Sequence, residues 1–296
     1  MNWIFLTFLA AILEAISNIF DRFILKNENK NISVLLIFWG LFALLIFCPP
    51  ALLTGQVSFE MTPIIGGFII AAIYLIAYYY YYKSVQKEEV DRIVPILALT
   101  PIIVLIFATI FFREIHTPLV YFGIFLIMVG VLFNAIKIKK YSKNHTQINK
   151  QAILFCAIAA TAFAFKNLIG KYLALANYQP LNLIFWIGLN IGIITIIIIC
   201  FQHKNFYFQK GSFIADHALA ATLGVSTSLL YTTAILIGPV ALVGFLSRID
   251  MVFVLIISEI IYFFNPHLLR TRFNKKDFVQ KLIGIIMILI GCYFLI

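Results

Sequence analysis

Glu14, Lys166, Arg248 and Asp250 each stand near the middle of a long apolar run, two acids and two bases where hydrocarbon-compatible side chains prevail. A charge at membrane depth costs about 3 kcal/mol on insertion scales, so such groups face a partner or a water-filled cavity. Carboxylates in such a cavity suit an ammonium group or a proton, and cations suit a carboxylate. The residues therefore point to recognition of a small charged or zwitterionic molecule.

The local pattern around Glu14 is A-I-L-E-A-I-S-N-I-F-D-R, Ala11 to Arg22, and a variant, T-A-F-A-F-K-N-L-I-G-K, returns at Thr161 to Lys171. Pairing Asn18 with Asn167 and Arg22 with Lys171 gives one constant offset, which sets Glu14 on Phe163 and Ser17 on Lys166. At helical spacing Glu14, Ser17, Asn18 and Asp21 share one face, as do Phe163, Lys166, Asn167 and Gly170. These faces predict a polar midplane cavity walled by Glu14, Asn18, Lys166 and Asn167. The plainer alternative is a buried Glu14–Lys166 ion pair that fixes helix register.

Arg248 and Asp250 are two residues apart, about 200° around an ideal helix, so only one of them is expected to face the cavity. Asp250 shares its face with Ser247, Val254 and Ser258, whereas Arg248 aligns with Glu259, which favours Asp250. Tyr74 and Tyr78 lie deep enough to join the wall, while Tyr81 and Tyr82 read as an interfacial aromatic belt. Tyr231 follows from the polar run Ser226, Ser228, Tyr231, Thr232, Thr233. Aromatic faces beside a carboxylate suit amines. Trp39 and Trp186 occupy equivalent places and read as packing.

The elements that must hold these residues follow from composition. With 63% hydrophobic and 11% charged residues and a mean hydropathy of +1.02, the chain is far from soluble usage. Helices satisfy their own backbone in lipid at about 20 residues per crossing. Runs such as Ile191 to Phe201 lack the alternation of a membrane barrel strand. The expected fold is all-α, with ten spans at 3–25, 32–53, 63–83, 93–112, 118–136, 151–173, 180–201, 213–236, 239–262 and 280–296. The first is expected to be a retained span, because no basic region precedes it. The connections are too short for a soluble domain, so the function belongs to the bundle.

Of the 22 Lys and Arg, all but Arg113, Lys166, Lys171 and Arg248 fall on the side of the loops after spans 1, 3, 5, 7 and 9. By the positive-inside rule that side is cytoplasmic and both termini are outside. The net charge of +10 thus speaks for the bilayer surface and not for nucleic acid. Cys48, Cys156, Cys200 and Cys292 sit in apolar runs without metal spacing and read as small core residues. His116, His145, His203, His217 and His267 lie in loops or at span ends without forming a cluster, so no metal or other cofactor is expected.

The repeat continues beyond its first copy. I-F-W occurs at 37–39 and 184–186, Tyr82 matches Tyr231, Leu97 matches Leu246, and Gly123 and Gly130 echo Gly284 and Gly291. Five spans per repeat is odd, so residues 146–296 must lie inverted relative to 1–145. Inverted repeats with a site near the midplane typify secondary transporters.

In these residues the chain resembles the drug/metabolite transporter superfamily, EamA type: ten spans in two halves, with P-x12-E from Pro101 to Glu114 followed by G-x6-G. The A-I-L-E stretch is also similar to the first helix of the four-span small multidrug resistance relatives, whose acid binds a cationic substrate or a proton. The resemblance implies that Glu14 does so here. The second half departs from the pattern, with Asp250 at the place of Pro101 and Phe263 at that of Glu114.

The expectation is a secondary transporter of the cell (inner) membrane, a monomer or homodimer, moving an amino acid or related amine with Glu14 as the proton-coupling group. An organic-cation exporter, a lipid-linked carrier flippase, an intramembrane enzyme and a non-transporting assembly subunit are the alternatives. The enzyme is disfavoured because no Ser with a His occurs at useful depth and Glu14 with Asp250 is the sole acid pair.

Overall fold

The computed structural model describes residues 2–27, 32–88, 93, 96–135, 149–201, 211–264 and 275–296. Most of the basic loops, the boundary at 145/146 and the side chains of Arg22, Ser258 and Glu259 lie outside the described residues, so the expectations placed on them are not addressed by the fold.

The described residues form helices and contain no strand. In chain order they are α1 (Trp3–Asn27), α2 (Ile32–Leu53), α3 (Met61–Lys87), α4 (Leu99–Phe107), α5 (Pro118–Ala135), α6 (Lys150–Leu175), α7 (Pro180–Phe201), α8 (Gly211–Ile237), α9 (Val240–Leu246), α10 (Asp250–Phe264) and α11 (Lys275–Leu295). α4 runs on as a π-helical turn, Ala108–Phe112, and a 3-10 turn, Ser247–Ile249, joins α9 to α10. Seven of the described helical segments are long and apolar enough to cross a membrane, with α9 and α10 counted together. Leu99–Phe112, Pro118–Asn134 and Val279–Leu295 are shorter apolar helices, at the places of expected spans 4, 5 and 10.

Burial is distributed as a bilayer solvent requires. Phe5, Leu45, Phe125, Ile197, Ile286 and Ile290 are exposed on the outer surface, whereas Lys166, Asn167, Thr227 and Asp250 are buried. Every helix satisfies its own backbone, so large apolar side chains can face lipid while the polar ones turn inward. The chain is a multi-pass helical membrane protein.

Two apolar cores flank the centre of the bundle. One holds Trp39, Phe47, Ile70, Leu183, Ile187 and Ile191 of α2, α3 and α7; the other holds Ile127, Phe245, Leu246 and Ile288 of α5, α9 and α11. In the second, α5 and α11 meet backbone to backbone. A Cβ on Gly123 would lie 2.8 Å from the Gly291 carbonyl oxygen, and one on Gly130 would lie 2.6 Å from that of Gly284. The paired glycines thus permit the close approach expected of them. Cys48, Cys156 and Cys292 are buried; Cys200 is exposed near the end of α7, where its apolar run faces outward, so the expectation of a core residue is wrong there.

The end of the bundle that carries residues 3, 112 and 238 is closed by contacts between distant segments. Arg113 adopts a left-handed backbone (φ 56°), which ends the π-turn. Glu114 then accepts hydrogen bonds from the Val240 and Ala241 amides at 3.2 and 3.5 Å, at the start of α9. Beside it, Lys171 Nζ donates to the Gly238 carbonyl at 2.6 Å. Leu6, Val104, Ala164, Leu168 and Val240 seal the layer beneath.

Candidate functional site

Between the two apolar cores lies a cavity of about 130 Å³. A volume that size exceeds a single water several times over and admits a small metabolite. All nine candidate residues singled out in the sequence line it: Glu14 and Asn18 from α1, Tyr74 and Tyr78 from α3, Lys166 and Asn167 from α6, Tyr231 from α8, Arg248 from the 3-10 turn and Asp250 from α10. Helical spacing explains part of the grouping, since Glu14 and Asn18, and Tyr74 and Tyr78, are four residues apart and share a stripe, whereas the adjacent Lys166 and Asn167 reach the cavity from either side of theirs.

Arg248 and Asp250 both reach this cavity, which corrects the expectation that only one of them would. The reason is the 3-10 turn at Ser247–Ile249. At about three residues per turn, a two-residue step leaves the side chains roughly 120° apart, where an α-helix would leave roughly 160°. The remaining angle is bridged by the length of the arginine, whose guanidinium also donates to Ser247 Oγ at 3.4 Å. Asp250 accepts from the Met251 amide at 2.9 Å, which fixes its carboxylate at the start of α10.

Glu14 and Lys166 do not form an ion pair of contact distance, and among the described residues neither has a hydrogen-bond partner. Their charges act on one another across the cavity, together with those of Arg248 and Asp250. The Lys166 ammonium instead lies 4.1 Å from the centroid of the Tyr74 ring and 5.8 Å from that of Tyr231. Ring faces attract a cation, by about 2 kcal/mol when desolvated, so they hold the lysine without neutralising it. A register-fixing salt bridge is therefore not what these residues make.

The aromatic wall is continuous. Tyr74 stacks on Tyr78 at 5.4 Å, Trp39 packs on both at 5.0 and 4.6 Å, and Phe163 meets Tyr78 edge-on at 5.3 Å. Tyr78 shares a hydrogen bond with Ser228 Oγ at 3.2 Å, and Tyr81 donates to Asn18 Oδ1 at 3.4 Å. Tyr81 and Tyr82 are both buried, and Tyr81 lines the cavity, so neither belongs to an interfacial belt. The tyrosines at 78 and 82 lie one turn apart and face inward together, a spacing that the unbroken Y-Y-Y-Y-Y run conceals.

Trp186 does pack, edge-on to Phe59 at 5.6 Å, and donates its indole N–H to the Ser58 carbonyl at 2.9 Å. Trp39 packs as well, but its buried indole nitrogen has no partner and borders a second, smaller pocket. Thr100 and Thr227 complete the main cavity without having been anticipated; Thr227 lies four residues before Tyr231, a signal present in the sequence. His217, expected at a span end, is wholly buried within α8. The Asn167 Oδ1, Thr227 Oγ1 and Arg248 Nε atoms are buried without a hydrogen-bond partner among the described residues.

Comparison with known proteins gives three findings. No curated protein sequence is matched. A crystal structure described only as "Crystal structure of protein" superposes with a TM-score of 0.71 over 99% of this chain and 97% of its own, at 12% identity, a likeness of fold alone. Residues 1–136 of this helical membrane protein match the model of the EamA-like transporter family, which accords with the drug/metabolite transporter superfamily.

Proposed function

We propose that the protein is a secondary transporter for a small zwitterionic or charged metabolite, an amino acid or related amine, working by alternating access with Glu14 as the proton-coupling group. The observation that carries the reading is the cavity in which Glu14, Asp250, Lys166 and Arg248 meet without direct Glu14–Lys166 neutralisation. Glu14 and Asp250 receive an ammonium group; Lys166 and Arg248 receive a carboxylate, the guanidinium with two parallel donors. Asn18, Asn167 and Tyr231 supply neutral hydrogen bonds, and Tyr74 and Tyr78 give the apolar wall that most small-molecule sites have. Transport of this kind leaves the substrate unchanged, so no catalytic group or cofactor is invoked.

In this reading ten spans form two inverted halves, 1–145 and 146–296. It is supported by the packing partners: α1 on α8 has its counterpart in α6 on α3, α2 on α8 in α7 on α3, and α4 on α6 in α10 on α1. α2 on α7 and α5 on α11 are self-paired under the same exchange. A cell inner membrane location with the basic loops in the cytoplasm, and a monomer or homodimer as the working unit, complete the proposal.

An organic-cation exporter draws support from the same aromatic wall. Against it, the ammonium of Lys166 already lies over the Tyr74 ring. The deciding experiment is uptake and counterflow of an amino-acid mixture in proteoliposomes across a pH series. Transport that depends on pH in wild type and loses that dependence in Glu14→Gln is expected. An unchanged pH profile in the variant removes Glu14 as the coupling group.

A further inference from the structure

A second pocket of about 20 Å³ adjoins the main cavity and shares Glu14, Asn18, Tyr78 and Tyr81 with it. It continues along α1 to Ser17 and Asp21 and is walled on the far side by Trp39 and by His217 of α8. Its direction is away from the closed end at Glu114 and Gly238, toward the ends of α1 and α3 that lead to the basic loops. At about 10–15 Å³ per water, it has room for one or two.

Two independent features mark this space as one that holds something polar. The Trp39 side chain is 2% exposed, lines the pocket, and its indole N–H has no acceptor. Among the described residues the Asp21 carboxylate, 9% exposed, has no hydrogen-bond partner. An indole donor, a hydroxyl and a carboxylate around a water-sized space meet the two to four partners that a bound water needs.

We infer that this pocket is a water-bridged proton path in which Asp21 relays protons between the basic-loop side and Glu14. The inference rests on the reading of Glu14 as the coupling group and names the route by which its proton arrives. Asp21 and Glu14 are two turns apart on one helix face, about 10.5 Å along the axis, too far for direct transfer, and the pocket that both line admits the one or two waters needed between them. In the step, the protonated Asp21 carboxyl donates to the bound water, which releases a different proton to the Glu14 carboxylate. Asp21 is left ionised, Glu14 neutral and the water unchanged. Asp21 regains its proton from the basic-loop side, and His217 is the titratable group that faces the pocket from α8.

The groups facing this path are few. Glu14 faces Asp21 along α1, and Tyr81 and Tyr82 face it from α3. Around Glu14 stand Lys166 of α6, Arg248 of the 3-10 turn, Asp250 of α10, Tyr231 of α8 and Tyr74 and Tyr78 of α3. α2 contributes Trp39, which does not titrate. Asp21 is thus the one acid between Glu14 and the basic-loop end among the described lining residues.

The test reads the proton itself. Lipid-reconstituted protein is subjected to a rapid pH drop, and the infrared carbonyl band that disappears in Glu14→Gln is followed in time. Asp21→Asn is expected to slow the growth of that band by about tenfold or more while leaving its final amplitude and midpoint nearly unchanged. Asp21→Glu is expected to restore the rate, and Trp39→Phe, which keeps the ring and loses the N–H, to slow it by a smaller factor. An unchanged rate in Asp21→Asn overturns the relay, as does suppression of the band by sodium chloride but not by choline chloride, which would mark a sodium site. The absence of any band assignable to Glu14 overturns the coupling role of Glu14 instead, so the two failures are distinct.

Discussion

At the scale of single residues, the proposed recognition of a carboxylate depends on Lys166 being charged and unpaired. Its position over Tyr74 keeps the ammonium in place without consuming it, unlike a carboxylate in contact. In the same proteoliposome assay, Lys166→Ala is expected to lose carboxylate-bearing substrates and to retain simple amines; equal loss of both would show that Lys166 holds the fold and not the ligand. Tyr74→Leu removes the ring and is expected to weaken binding about tenfold, the equivalent of about 1.4 kcal/mol, measurable as a raised half-saturation concentration. The sequence made much of this legible, because a charge in an apolar run is conspicuous and helical spacing says which neighbours accompany it. It failed at Arg248 and Asp250 for a local reason: nothing in L-S-R-I-D announces a 3-10 turn, and the angular argument assumed an unbroken helix. That Trp39 borders a pocket as well as packing, and that His217 is buried, lay beyond reach because periodicity locates a face and does not tell which neighbour it will meet.

Among the helices, the contacts that cross the chain are made by backbone as much as by side chains. A valine at Gly130 would drive its Cβ against the Gly284 carbonyl and Ile288, so α5 and α11 must separate. Gly130→Val is expected to destabilise by about 1–3 kcal/mol, seen as a lowered midpoint of thermal unfolding in detergent. Glu114 accepts the first amides of α9, orphan donors at a positive helix end. Glu114→Ala should release them at a cost near 1 kcal/mol, about a fivefold faster hydrogen exchange at Val240 and Ala241. The P-x12-E spacing flagged Glu114 from the outset, but its partner lies in the other half of the chain, beyond the reach of any local pattern.

For the molecule as a whole, orientation in the bilayer follows from where the basic residues lie. If the basic side is cytoplasmic, a cysteine replacing Lys87 is shielded from an impermeant maleimide in intact cells, and one replacing the exposed Glu60 is labelled, each on a background free of the four native cysteines. The opposite pattern would reverse the assignment. The cavity itself has an electrical consequence. Its two acids and two bases carry two negative and two positive formal charges, so with no cargo aboard they sum to zero. A carrier that turns around such a centre does so without working against the membrane potential. One added proton changes that: at about 2.3 kcal/mol per 100 mV, voltage then favours one direction of return over the other. In the proposed cycle a neutral zwitterion aboard leaves the balance untouched, so the current carried per cycle is expected to count protons and not cargo.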